Sequence, residues 1–165
     1  MRHFPLYVIW LFLFLAAPLL LAAGSNGSQP IRFNHKKHAG EMSLPCTTCH
    51  QTVKEQTYAS LPQVETCLGC HAAALTKNPE EEKIRQYAAK KEKIVWKRVY
   101  QLPRDLFFSH RRHVVSAKVE CVTCHGKMVD LTEPPTRPLV RQSMSWCISC
   151  HQEKRASVDC NACHK

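Results

Sequence analysis

The 165-residue chain has no cysteine to spare. All ten fall into five copies of Cys-x-x-Cys-His: Cys46, Cys49 and His50; Cys67, Cys70 and His71; Cys121, Cys124 and His125; Cys147, Cys150 and His151; Cys160, Cys163 and His164. Zinc would need Cys-x-x-Cys units in pairs to complete tetrahedral sites, and an odd number of units argues against it. A disulfide framework uses an even cysteine count but gives no reason for a histidine after every second cysteine. Acidic residues are also scarce, 13 against 23 Lys and Arg, which leaves a formal net charge of +10. Once one N-terminal apolar stretch is set aside, roughly 140 residues remain, about 28 per motif, too few for an ordinary side-chain core.

The motif has a chemical cause. Two thiols three residues apart on a helical turn can each add to one vinyl group of the same porphyrin, and the histidine that follows stands under the iron as its proximal ligand. Five copies therefore predict five covalently bound haems c, with the macrocycles themselves as the core of a mostly irregular fold with short α-helices. Thioether links and axial bonds supply order that long loops could not.

The positive charge invites a nucleic-acid or anionic-membrane reading. Five haems would bring about ten propionate charges, which scattered Lys and Arg can pair, so no nucleic-acid partner is expected.

Residues 4–23 (FPLYVIWLFLFLAAPLLLAA) form an apolar run of 20 behind Arg2. At about 1.5 Å per residue it is long enough to cross a bilayer. Ala22-Ala23-Gly24 before Ser25 could serve as a signal-peptidase site, but the run exceeds a typical signal's apolar region. The expectation is one N-terminal transmembrane helix, uncleaved. The positive-inside rule leaves the amino terminus in the cytoplasm and sends the cysteines to the periplasm or otherwise outside it, the compartment covalent haem attachment requires.

Beyond residues 1–24 (anchor or signal peptide) and 25–30 (flexible tether), an internal repeat appears at an offset of 75. Phe33-x-His35-x-x-His38 before Cys46-x-x-Cys49-His50 recurs as Phe108-x-His110-x-x-His113 before Cys121-x-x-Cys124-His125, down to the basic pairs Lys36-Lys37 and Arg111-Arg112. This divides the chain into a two-haem module over residues 31–78 and a three-haem module over 106–165. The linker, residues 79–105, begins with a predicted helix over 79–93, with Pro79 and three Glu at its front, Lys at its rear and Glu81/Arg85 at i,i+4. It continues as an extended run over 94–102 whose Trp96 and Tyr100 read as packing residues.

Ten histidines are present. Five are proximal and His3 lies in the targeting segment, leaving His35, His38, His110 and His113 as distal ligands. Two imidazoles at i,i+3 cannot both cap one iron whose other side is taken, so each pair serves two haems.

The pattern Phe-x-His-x-x-His followed by repeated Cys-x-x-Cys-His resembles the class III multihaem cytochromes c. That resemblance implies the pairings His35 with His50, His38 with His71, His110 with His125, and His113 with His151. The fifth haem, on His164, has no histidine left. Trihaem relatives carry its distal ligand just before the motif at Cys147, where this chain has Met144; Met42, Met128, a lysine or no ligand are the alternatives. A thioether ligand raises the reduction potential relative to bis-histidine.

The segments IVWKRVYQLPRDLFFSHRRHV, CVTCHGKM and QSMSWCISCH together resemble the pentahaem membrane-anchored subunit of Alternative complex III and related cytochrome subunits of menaquinone reductase complexes. This implies an electron-transfer subunit of a respiratory-chain quinol oxidoreductase, not catalytic alone. Its implied partners are an iron-sulfur subunit, integral membrane quinol-binding subunits, and a monohaem cytochrome c or terminal oxidase as acceptor. A multihaem reductase of the nitrite or hydroxylamine type, with an open haem on His164, competes with this, as do a soluble periplasmic carrier and a haem-based sensor. A reductase needs proton donors in a shaped distal pocket, and no histidine is left to supply one. N-terminal sequencing of native material should find the amino terminus intact in the membrane fraction; a start at Ser25 would make the apolar run a cleaved signal.

Overall fold

The computed structural model describes residues 28–164; the expected anchor and the start of the tether lie outside them. Among these residues no helix is long and apolar enough to cross a membrane. The longest is α3, Pro79–Lys90, where the linker helix was expected. Asn78 caps it, its side-chain oxygen accepting the Glu80 N–H at 3.0 Å, with Pro at the first helical position and three Glu in the first turn. It stops three residues short of Lys93 because Lys91 turns left-handed at φ +54°. The Lys91 and Glu92 N–H groups then close back onto the Ala88 and Tyr87 carbonyls, each at 3.0 Å.

Other regular structure is short, as the sequence predicted. The helices are α1 (Cys46–Cys49), α2 (Val64–His71), α4 (Cys121–His125), α5 (Met144–Glu153) and α6 (Cys160–Cys163), each built around one Cys-x-x-Cys unit.

Residues 94–102 run extended without joining a sheet. Two glutamine side chains serve in place of a neighbouring strand: Gln63 bonds both the N–H and C=O of Ile94, and Gln29 does the same for Lys97. Trp96 is a packing residue with its Nε1–H on the Pro62 carbonyl at 2.6 Å. Around it lies the one apolar cluster among the described residues: Ile31, Val64, Ile84 and Ile94, with Leu68 and Tyr87 against them. A cluster of that size cannot by itself offset the conformational entropy of so long a chain.

The two copies of the repeat have the same local geometry. In each, the second histidine lies in a π-helical turn, Lys36–Glu41 in one and Arg112–Ser116 in the other. Each ends at a left-handed residue, Ser43 at φ +55° and Lys118 at φ +52°, which stand 75 positions apart. The next residue then returns its N–H to the second histidine's carbonyl, Leu44 to His38 at 3.0 Å and Val119 to His113 at 2.9 Å.

The copies also pack reciprocally. The π turn of the first lies against the 3-10 turn Met128–Asp130 of the second, and the π turn of the second against the 3-10 turn Gln51–Lys54 of the first. Lys36 donates its N–H to Leu131 at 2.8 Å, and His110 donates its N–H to Thr57 at 3.0 Å. The equivalent thiols Cys46 and Cys121 lie within electrostatic reach of each other. Residues related by the repeat thus meet each other, the signature of an isologous, two-fold contact within one chain.

Gly40 permits half of this contact, since a Cβ there would lie 2.8 Å from the Val129 carbonyl oxygen. Gly40→Ala should destabilise the haem-loaded protein by about 1–3 kcal/mol, the usual cost of overpacking, read as a lower denaturation midpoint. Val115→Ala, at the equivalent place in the second copy and half exposed, should change it far less.

Candidate haem centres

Each Cys-x-x-Cys unit forms a helical turn, which places its two sulfurs on one side of the helix. The turn is closed by the histidine or residue behind it; His50 returns its N–H to Cys46 at 2.9 Å and His164 to Cys160 at 2.8 Å. Side chains cap the last two: Ser143 accepts from Trp146 at 3.2 Å and Asp159 from Asn161 at 2.8 Å.

All ten thiols are free. On α2, Cys67 is half-buried and Cys70 exposed, and on α5 both Cys147 and Cys150 are half-buried. Each second thiol reaches toward the preceding unit of its own copy: Cys70 lies within electrostatic reach of Cys49, and Cys150 of Cys124. These two contacts correspond under the repeat.

The histidine rings are fixed through Nδ1. His38 and His113 bond the carbonyls of Asn34 and Ser109 at 2.9 and 2.8 Å, His50 that of Ser60 at 2.9 Å, His110 that of Thr57 at 3.3 Å and His151 that of Ser157 at 2.6 Å. A carbonyl can only accept, so Nδ1 carries the proton and the Nε2 lone pair is left for a metal. His71 and His164 face carboxylates instead, Glu81 at 3.4 Å and Asp105 at 3.5 Å. Neither these carboxylates nor the carbonyl partners could be found from sequence. Glu81 was legible only as a helix residue paired with Arg85, a contact that does form at 3.1 Å.

Three of the four expected distal–proximal pairs stand with ring centroids a few ångströms apart: His38–His71 at 6.0 Å, His110–His125 at 6.3 Å and His113–His151 at 6.1 Å. Two axial imidazoles on one metal stand roughly 6 Å apart, the sum of two bonds of about 2 Å and two ring radii of about 1 Å. Among the described residues no three His, Cys, Asp or Glu side chains converge as a metal site made of protein alone would require. The observed donor set, two imidazoles whose centroids stand about 6 Å apart, suits a metal whose remaining positions a macrocycle supplies. His35 lies within electrostatic reach of both His50 and His38. Its Nδ1 is buried without a hydrogen-bond partner.

Phe33 and Phe108 set the two distal histidines of each copy. Each stands edge-on to the first histidine at 4.8 Å and stacks on the second, at 4.5 and 4.6 Å. Tyr100 is a packing residue whose ring edge meets His125 at 4.5 Å, with its hydroxyl donating to the His125 carbonyl and accepting the Leu139 N–H.

Met144 opens α5 and is 64% exposed. Close to it in sequence, Cys147 lies within electrostatic reach of Cys163. His164 is tied to the start of the second module, where Leu106 bridges it and Phe107 donates its N–H to Cys163 at 2.6 Å.

Burial, with the nearby His50 and His38, pushes His35 down to about 4. Glu81 is held at about 2, by the Thr76 hydroxyl first and the Leu75 N–H next, with His71 and Arg85 adding. Both values lie below the ordinary ones; in the haem-loaded protein the His35 ring would be held by iron, so the pH dependence falls to Glu81, whose contribution is present above about pH 4.5 and is lost as pH falls toward 2. Thermal unfolding of the haem-loaded protein should show a midpoint that falls as pH drops from about 4.5 to 2, and Glu81→Gln should flatten that fall; a variant whose midpoint falls as steeply as that of the unaltered protein would contradict this.

Comparison with known proteins agrees with the motif geometry. Residues 20–97 match the model of the class III cytochrome c family, and residues 106–165 that of cytochrome c7 and related cytochromes c. The chain is 31% identical to the multihaem cytochrome c subunit of menaquinone reductase from Nitratidesulfovibrio vulgaris, over 86% of this chain and 79% of that one. Covalently bound haem c is what this family implies for the ten motif cysteines. The chain belongs to the class III multihaem cytochromes c.

Proposed function

We propose that the chain is the five-haem electron-transfer subunit of a membrane quinol oxidoreductase of the menaquinone reductase or Alternative complex III kind. It would be anchored by residues 1–24 in the cytoplasmic membrane, with its two-haem and three-haem modules outside the cytoplasm. The observation that carries this reading is the set of imidazole pairs at 6.0, 6.3 and 6.1 Å, each joining a His-x-x-His residue to a motif histidine. The menaquinone reductase relative supports membership of a complex. An iron-sulfur subunit, integral membrane quinol-binding subunits and a monohaem cytochrome c or terminal oxidase are the proposed partners.

Each haem, when bound, supplies a one-electron ferric/ferrous couple. The protein's part is to hold it still. The pairs Cys46 and Cys49, Cys67 and Cys70, Cys121 and Cys124, Cys147 and Cys150, and Cys160 and Cys163 attach one haem each, and His50, His71, His125, His151 and His164 ligate one side. His38, His35, His110 and His113 cap the first four, with His35 assigned to His50. Two strong axial ligands leave no position for substrate and keep the metal low spin, which limits reorganisation. The Nδ1 hydrogen bonds of His38, His50, His110, His113 and His151 fix those rings' orientation and raise their basicity.

The sites run in one order through space. Phe33 touches both His35 and His38, and Cys49 lies near Cys70, so the His50 and His71 sites are neighbours. Phe108 and the approach of Cys124 to Cys150 join the His125 and His151 sites in the same way. The Cys46–Cys121 contact joins the His50 and His125 sites, and the electrostatic contact of Cys147 with Cys163 leads to His164. The sequence His71, His50, His125, His151, His164 thus has one end in each module.

Met144 is assigned to the iron on His164. Its 64% exposure favours a second reading, a reductase whose substrate binds there. Intact mass should show five haems. Met144→His should keep all five, abolish any methionine-to-iron charge-transfer band and lower one midpoint potential, leaving the other four nearly unchanged. An unmoved spectrum would make Met144 a packing residue, and a high-spin, ligand-binding haem would favour the reductase.

A further inference from the structure

We infer that Glu81 is a positioning residue for the iron on His71 and holds that site's reduction potential down. The inference rests on His71 being an iron ligand. Among the histidines of the five sites, His38, His50, His110, His113 and His151 meet neutral main-chain carbonyls through Nδ1. His71 faces a charge: its buried Nδ1 makes no hydrogen bond, and Glu81 Oε1 stands 3.4 Å from it. Asp105 stands 3.5 Å from His164, but it is 66% exposed and water and salt screen it.

Glu81 is different in kind, because its side chain is 5% exposed and is fixed from four directions. Thr76 donates to Oε2 through its hydroxyl at 2.6 Å and its N–H at 2.9 Å. Leu75 N–H donates to Oε1 at 2.6 Å and Arg85 at 3.1 Å. Arg85 shares its charge with Glu82, so the cluster of Glu81, Glu82 and Arg85 stays net negative. Thr76 and Leu75 lie in the loop behind the motif and Glu81 on α3, so the helix start carries the carboxylate to the ring.

A metal drawing on Nε2 leaves Nδ1–H more positive, and a carboxylate held beside it offsets that charge and makes the imidazole a more basic ligand. Basicity and buried negative charge both favour the ferric over the ferrous state, and little solvent is present to screen them. The iron on His71 sits at the end of the series remote from His164. The proposed effect makes it the low-potential end, from which electrons run downhill toward the Met144 site.

Redox titration of the haem-loaded protein, followed by visible spectroscopy, tests this. Glu81→Gln, nearly the same size, should shift one ferric/ferrous equilibrium about tenfold toward ferrous, about 59 mV for one electron. Arg85→Gln, which leaves the carboxylate uncompensated, should move the same potential the opposite way. Shifts of the same sign in both variants would mean that the helix had merely loosened, and no shift in either would leave Glu81 without effect on the iron; both overturn the inference. Haem count and the low-spin spectrum of the unaltered protein test the ligand reading separately, so a failure there is distinguishable from failure of the Glu81 role.

Discussion

The structure depends on holding two imidazoles at the separation one metal ion requires. A ring on a flexible side chain does not keep such a position by itself. Here a proximal histidine is fixed by the helical turn that carries its cysteines, and a distal one by a π-helical turn, a left-handed residue and a phenylalanine stacked on it. Nδ1 hydrogen bonds then lock rotation about the ring axis. The chain spends its regular structure on these tasks, which is why nearly every helix is a haem motif and why the apolar cluster is confined to Ile31, α2, α3 and the linker.

Motifs, repeat and the irregular fold could be read from sequence because each has a fixed spacing that covalent chemistry enforces. The duplication extends to backbone conformation, which no residue type announced: Ser43 and Lys118 share a left-handed φ while having no side-chain feature in common. The end of α3 was missed because Lys91 gives no sign of a left-handed turn, unlike the glycine usually found there. The extended linker was foreseen, but Gln29 and Gln63 as its hydrogen-bond partners were not, because they lie far off in sequence. The approaches of Cys70 to Cys49 and of Cys150 to Cys124 were equally hidden, since spacing within a motif says nothing of which motif docks beside it. The same holds for Glu81: its approach to His71 follows from how α3 docks, and spacing along the chain carries no trace of that.

A duplicated unit could have packed head to tail, but it did not. The π turn of each copy lies on the 3-10 turn of the other, and the two equivalent thiols Cys46 and Cys121 meet. In an isologous contact the element nearest the axis is close to its own counterpart, and here that element is the first haem motif of each copy. Under the proposed ligation, the crossing from one module to the other therefore falls between equivalent sites, His50 and His125, and everything added to either copy extends the series outward. The second copy's additional motif at Cys160 could then lengthen one end without disturbing the junction. The copies have diverged where the contact is not symmetric: Gly40 accepts a carbonyl at a distance its counterpart Val115 could not. Equivalent sites at the junction would begin with similar potentials, so direction along the series has to come from what differs at its two ends. Those are the places where the structure sets a buried carboxylate against His71 and where the sequence has exhausted its histidines beside His164.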